Sequence, residues 1–207
     1  RLLLLNGGTR GRPAWRAGRL AAVTTRRLNG RGARSVSIWL RDGESHDAWV
    51  ATAVGAMAGT YRSTSVYGRV RDTDAMKRSV PEVLVIGADQ DALDEGATIG
   101  EGVAFGRDLA NRSANDLSPE RMAEVARELA ADGCTVEVLE PADMERLGMG
   151  MLLGVGQGAA HPPRLIAVKL PGWESGSDRR LAIVGKGVCF DSGGLSLKPA
   201  DGMGDMK

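Results

Sequence analysis

A chain of 207 residues, 43% hydrophobic and 26% charged, is long enough to bury a core without disulfide or metal staples and too ordinary in composition for wholesale disorder. No apolar run approaches the roughly 20 residues of a membrane span. Leu2–Leu5 is too short for a secretory signal and Cys134 and Cys189 form no CxxC pair, so a reducing, cytoplasmic setting is expected, with no membrane partner.

The net charge of +1 averages two unlike parts. Residues 1–41 hold ten arginines and no acid, while the rest sets 17 basic against 26 acidic residues. Such a start reads either as a solvated face in an arginine-heavy composition or as an anion- or DNA-binding module. Trp15 and Trp39 are the only aromatics in that stretch, too few for a base-stacking surface.

In chain order, Val36–Leu40 alternates and is rich in β-formers, which predicts a strand closed by Arg41-Asp42-Gly43. Residues 46–61 are alanine-rich with apolar residues at helical spacing, a predicted helix. Val83–Ile86, ended by Gly87, reads as a buried strand, and residues 97–113 as a second helix. Ser118 and Pro119 suit the N-cap and first turn of a helix that runs to Asp132-Gly133. Thr135–Leu139 is a predicted strand, 141–147 a short helix and 148–158 a glycine-rich loop. Strands follow at Arg164–Leu170 and Arg180–Val184, separated by a polar loop. Strands alternating with helices imply an α/β architecture with a largely parallel sheet. A boundary is expected near 95–115, where the long helix hands over to a new β/α run, and is drawn as units 1–95 and 96–207.

Most candidate sites fail on spacing. Gly154-Val-Gly-Gln-Gly158 lacks the dinucleotide spacing, and Gly185-Lys186 is followed by Gly187 where a phosphate-binding loop needs Ser or Thr. His46 and His161 have no second ligand at metal spacing, and Cys189 reads as an inert thiol. One segment differs. Val184–Pro199 carries two lysines and one aspartate among four glycines, immediately after a predicted strand. Ligands of open α/β sheets bind there, beyond the carboxyl ends of strands. Asp191 could bridge hard cations, and Lys198 could face a developing oxyanion. Composition alone leaves a solvated glycine loop equally open.

The string Gly185-Lys-Gly-Val-Cys-Phe-Asp-Ser-Gly-Gly-Leu-Ser-Leu-Lys-Pro199 resembles the signature of the leucyl aminopeptidase family (M17, cytosol aminopeptidase) of dinuclear metallopeptidases. Arg107–Asn111 with Asn115–Pro119, and Met144–Gly158 with Pro162–Leu165, resemble two earlier blocks of its catalytic domain. The resemblance is specific over 105–207 and loose over 20–100. It implies a smaller N-terminal, macro-domain-like α/β domain followed by the first half of an αβα catalytic domain with a mixed, largely parallel sheet.

Carried over residue by residue, it implies that Lys186 is a ligand of the exchangeable metal and that Asp191 bridges both metals. Lys198 would polarise the scissile carbonyl, and Met206 would line the pocket for the first side chain of the substrate. The implied cofactors are two divalent ions, zinc or manganese with magnesium as an alternative. The implied reaction removes leucine-like residues from the amino ends of peptides, and the implied assembly is a homo-hexamer. Cys189 stands in place of the family's common threonine and Ser113 in place of its proline. The next aspartate ligand would fall two residues past Lys207, so the expectation is a truncated chain, inactive alone, with Asp201 and Asp205 solvated.

Overall fold

The computed structural model describes residues 13–29, 31, 33–40, 45–63, 82–171 and 181–206. The chain divides into two compact units, Arg1–Asn111 and Arg112–Lys207. The division lies at the end of the helix Gln90–Asn111, within the 95–115 region expected for the boundary, while position 95 itself lies inside that helix.

In the first unit, Pro13 opens α1 (Pro13–Leu28), a helix that the arginine-rich composition had concealed. Its buried residues, Ala17, Ala21 and Thr25, recur every fourth position and make one narrow stripe. Then come β1 (Ser35–Trp39), α2 (His46–Thr60), β2 (Glu82–Ile86) and α3 (Gln90–Asn111). β1 and β2 pair in parallel, Ser35 opposite Glu82 through Trp39 opposite Ile86, as the crossover through α2 requires. Val36, Ile38, Val83 and Val85 are the less exposed members of the alternation.

α2 buries Ala48, Trp49, Thr52, Ala53, Gly55, Ala56 and Gly59 because it packs against α1 on one side and α3 on the other. Glycine and alanine let these backbones approach closely. A Cβ on Gly55 would collide with the Gly18 carbonyl of α1, and one on Gly96 would lie 2.8 Å from the Val50 carbonyl. α3 begins seven residues before the predicted helix. Asp89 supplies the missing start signal, its carboxylate accepting the Ala92 N–H at 2.7 Å.

His46, at the start of α2, lies 3.0 Å from the Glu95 carboxylate and 3.6 Å from that of Asp89. The hydrogen bond to Glu95 raises its pKa above the ordinary histidine value, assisted by the charges of Asp89, Glu95 and Asp47. A raised folded-state value means that protonated His46 contributes stability below the unfolded pKa, and that this is lost as pH rises through the folded one. Urea midpoints should therefore show the wild type ahead of His46→Gln near pH 5.5 and level with it near pH 8.5. An equal gap at both pH values would exclude the linkage.

The second unit holds α4 (Pro119–Glu128), β3 (Thr135–Leu139), α5 (Pro141–Arg146), α6 (Gly150–Gly156) and β4 (Leu165–Lys169). Ser118 caps α4 as its sequence requires, accepting the Arg121 N–H, and a 3-10 turn over Leu129–Asp132 ends at Gly133 with φ 82°. Met144 of α5 is fully buried, and Ala123, Val125, Ala126 and Leu117 are buried in the same unit. β3 and β4 run antiparallel, Thr135 opposite Lys169, so the parallel expectation holds for β1–β2 and the described pairs together are mixed.

Two local expectations are corrected here. Residues 150–156 are helical rather than looped, and Gly156 packs against the Pro163 ring. The predicted strand at Arg180–Val184 is not formed over its described residues: Leu181, Ile183 and Val184 are 74%, 90% and 94% exposed. A β-prone sequence becomes a strand only beside a partner backbone, and none pairs with it among the described residues. The Leu2–Leu5 run and most of the 171–178 loop lie outside the described residues.

Candidate active site

The chain reaches the candidate site along residues 181–190, which form neither helix nor strand, and then folds back on itself. The Asp191 N–H donates to the Met206 carbonyl at 3.0 Å, and the Lys198 N–H donates to the Ser192 carbonyl at 2.9 Å. Gly193 makes the reversal possible. Its φ of 98° lies in the left-handed region, and a Cβ there would collide with the Ser196 carbonyl. Gly193 also donates its N–H to Asp191 Oδ1 at 2.9 Å, fixing the carboxylate plane.

Lys198, seven residues on, turns its ammonium into this bend. Nζ lies 2.6 Å from Asp191 Oδ2, 3.2 Å from the Asp191 carbonyl and 3.2 Å from Met206 Sδ. The hydrogen bond from Lys198 holds the Asp191 carboxyl below the usual carboxylate range, helped by the Gly193 N–H and by the charges of Lys198 and Lys186. Lys186 thus acts on Asp191 through its field, and its side chain is exposed. The structure brings Asp191, Lys198 and Met206 into direct contact and leaves Lys186 without a salt bridge among the described residues. Asp201 and Asp205 are both exposed.

The donor chemistry suits a hard cation, but the number of donors falls short. Among the described residues, no three His, Cys, Asp or Glu side chains gather as a metal site. His161 pairs instead with Glu120 at 3.3 Å, beside Arg164, which also bonds Glu140 at 2.8 Å. Burial raises the Cys189 pKa, and the Glu120 charge adds to the effect, so the thiol stays protonated. A cleft of about 590 Å³ next to α5 and α6, lined by Glu145, Leu153, Gln157 and Pro162, shares no residue with this loop.

Sequence reasoning missed Gly193 and the clamp role of Met206. The Gly193-Gly194 pair was legible as a turn, but a backbone N–H aimed at a carboxylate leaves no mark in residue types.

Residues 104–207 match the catalytic domain of the cytosol aminopeptidase family. The chain belongs to that family. Among relatives of this cytosol aminopeptidase family member, the probable cytosol aminopeptidase of Caulobacter vibrioides is 40% identical over 83% of the chain and 35% of its own length. The probable cytosol aminopeptidase of Solibacter usitatus is 37% identical over 100% of the chain and 43% of its own length. The chain thus spans less than half of either relative. Of solved structures, the bottromycin maturation enzyme BotP in complex with Mn superposes with a TM-score of 0.74 at 34% identity, over 91% of this chain and 39% of that one. The apo leucyl aminopeptidase of Trypanosoma cruzi superposes with a TM-score of 0.73 at 26% identity, over 95% and 37%. The α/β fold expected of the family is the fold observed. No helix among the described residues is long and apolar enough to cross a membrane.

Proposed function

We propose that this family member acts, as part of a longer protein, as a cytoplasmic metal-dependent aminopeptidase that releases leucine-like residues from the amino ends of peptides. One observation carries the reading: the carboxylate of Asp191 and the ammonium of Lys198 meet at 2.6 Å in a glycine-shaped bend. Asp191 and Lys186 would supply an oxygen and a nitrogen to divalent ions, zinc or manganese, with further ligands from outside the described residues. Two such ions, when bound, would activate water and hold the free amine of the peptide. Lys198 would place its positive charge against the carbonyl oxygen that gains negative charge. Met206, touching Lys198, would border the site where the first side chain rests. The described residues alone offer too few donors to complete the metal site, the chain by itself is expected to be inactive, and the homo-hexamer belongs to the same family-based reading.

The test is hydrolysis of leucine p-nitroanilide by the product of the complete coding sequence. Activity should vanish on chelation and return with manganese or zinc. Activity that survives exhaustive chelation, or its absence with every divalent ion, would sink the proposal.

A second reading draws on α1, which carries no acid and exposes Arg19, Arg26 and Arg27, with Arg31 and Arg34 exposed just beyond it. Such a face suits a polyanion such as DNA. Salt-sensitive retention of duplex DNA by the chain would support this reading, and retention unaffected by salt would count against it.

A further inference from the structure

We propose that His161 is a proton-operated latch on the cleft beside α5 and α6: protonated, it grips Glu120 at the start of α4 and holds residues 157–161 against the second unit, and neutral, it lets that wall of the cleft go.

The latch stands on an orphaned oxygen. Glu120 Oε2 is buried and, among the described residues, accepts no hydrogen bond, a costly condition for a carboxylate. Arg164 does not relieve it. Its guanidinium, 13% exposed, donates to the Pro162 and Pro163 carbonyls at 3.1 and 2.9 Å and pairs with Glu140 at 2.8 Å. It stands 3.7 Å from the other oxygen of Glu120. Facing Oε2 itself is His161 Nδ1, at 3.3 Å and outside hydrogen-bond geometry. A neutral imidazole carries one N–H and can turn a bare lone pair toward the carboxylate, whereas an imidazolium carries an N–H on both nitrogens and must offer one here. The resulting bond is charge-assisted at both ends. His161 is 58% exposed, so its proton comes freely from solvent.

The neighbouring charges leave His161 as the group that switches. Burial pushes the Glu120 carboxyl up, but its backbone bond, the Ser118 hydroxyl and the charges of Arg164 and His161 outweigh it, so Glu120 stays ionised where histidines titrate. Arg164, at the head of β4, keeps its charge throughout, and Glu140, before α5, is engaged with it. Burial, helped by the Glu120 charge, keeps the Cys189 thiol protonated.

The cleft therefore has two unlike anchors. Pro162 and Pro163 line it, and Arg164 pins their carbonyls with a charge that does not titrate. Gln157 and Ala159 line it on the other side of His161 in sequence, and their hold on α4 depends on a proton. The His161–Glu120 contact is made at acid pH and lost as the pH rises through the histidine range.

The experiment measures amide hydrogen exchange of the 207-residue chain, with rates corrected for the intrinsic effect of pH. The Ala159 N–H, which donates to the Gly156 carbonyl at 3.1 Å, is the central reporter. Protection over residues 157–161 should be roughly two- to fivefold higher near pH 5.5 than near pH 8.5, the range of a partly exposed ion pair. The amides of β3 should be equally protected at both. His161→Gln, at an exposed position, and Glu120→Gln should each show the lower protection at both pH values. Equal protection over 157–161 at the two pH values in the unaltered chain overturns the latch. A pH effect that persists in His161→Gln or in Glu120→Gln overturns it as well, because another group would then be titrating. A change shared by β3 would mean that the second unit loosens as a whole, and that outcome also overturns it.

Discussion

Gly55→Val should cost the first unit more than about 3 kcal/mol, enough to lower its melting temperature by at least about 10 °C. The reason is the seam between α1 and α2. A Cβ on Gly55 would collide with the carbonyl of Gly18, and one on Gly18 would lie 2.6 Å from the carbonyl of Ala51. Both obstacles are helix backbone, which cannot rotate aside as a side chain can. The two helices must then separate, and separation uncovers Ala17, Ala21 and Thr25 on one side and Ala48, Thr52 and Ala56 on the other. Trp49, 8% exposed on the same helix, is a convenient reporter, since its fluorescence should shift toward that of solvated tryptophan.

The control lies on α3. Gly102 has open space where its Cβ would go, so Gly102→Ala should gain roughly 0.5–1 kcal/mol from helix propensity alone. Opposite signs at two helical glycines would confirm that packing, not glycine content, decides the outcome. A destabilisation of less than about 1 kcal/mol for Gly55→Val would mean that the seam is looser than described.

The same contrast explains which features of the fold were legible. Ser118-Pro119 announces a helix start by local chemistry, and the structure forms it there. Val83–Ile86 and Thr135–Leu139 announce strands by residue type, and each found a partner. Leu181–Val184 carries an equally strong β signal and pairs with nothing among the described residues, because pairing depends on a neighbour that local sequence does not encode. α1 was legible in principle, since its arginines and apolar residues separate at helical spacing, but the face it buries is only alanine and threonine and carries no large hydrophobic residue. Asp89 hid the start of α3 because one capping carboxylate eight residues upstream of the predicted start looks like any loop acid.

At the site, the residue types of Asp191 and Lys198 and their seven-residue spacing were readable, and the bend brings the two together. The two backbone bonds that make the bend, from Asp191 to Met206 and from Lys198 to Ser192, have no sequence signature. Met206 shows the gap most clearly. The resemblance implies a pocket wall there, and the structure adds two contacts beside that reading: the Met206 carbonyl accepts the Asp191 N–H and its sulfur lies 3.2 Å from Lys198 Nζ.

Under the proposed function, Lys198→Ala in the product of the complete coding sequence should lower kcat for leucine p-nitroanilide by about 10²–10³-fold, the range for losing one preorganised donor to a developing oxyanion, and change KM little. A carbonyl brought up to Asp191 would meet Nζ first, because the ammonium stands 2.6 Å from the carboxylate and is only about one-third exposed. Removing it takes away charge stabilisation that grows along the reaction, which is why the rate should fall while ground-state binding persists. A lysine that served only to brace the loop would give a different pattern, since a disordered bend weakens metal binding and catalysis together. Wild-type kcat in Lys198→Ala would remove this residue from the reaction, and a parallel loss of turnover and metal affinity would reduce it to a structural brace.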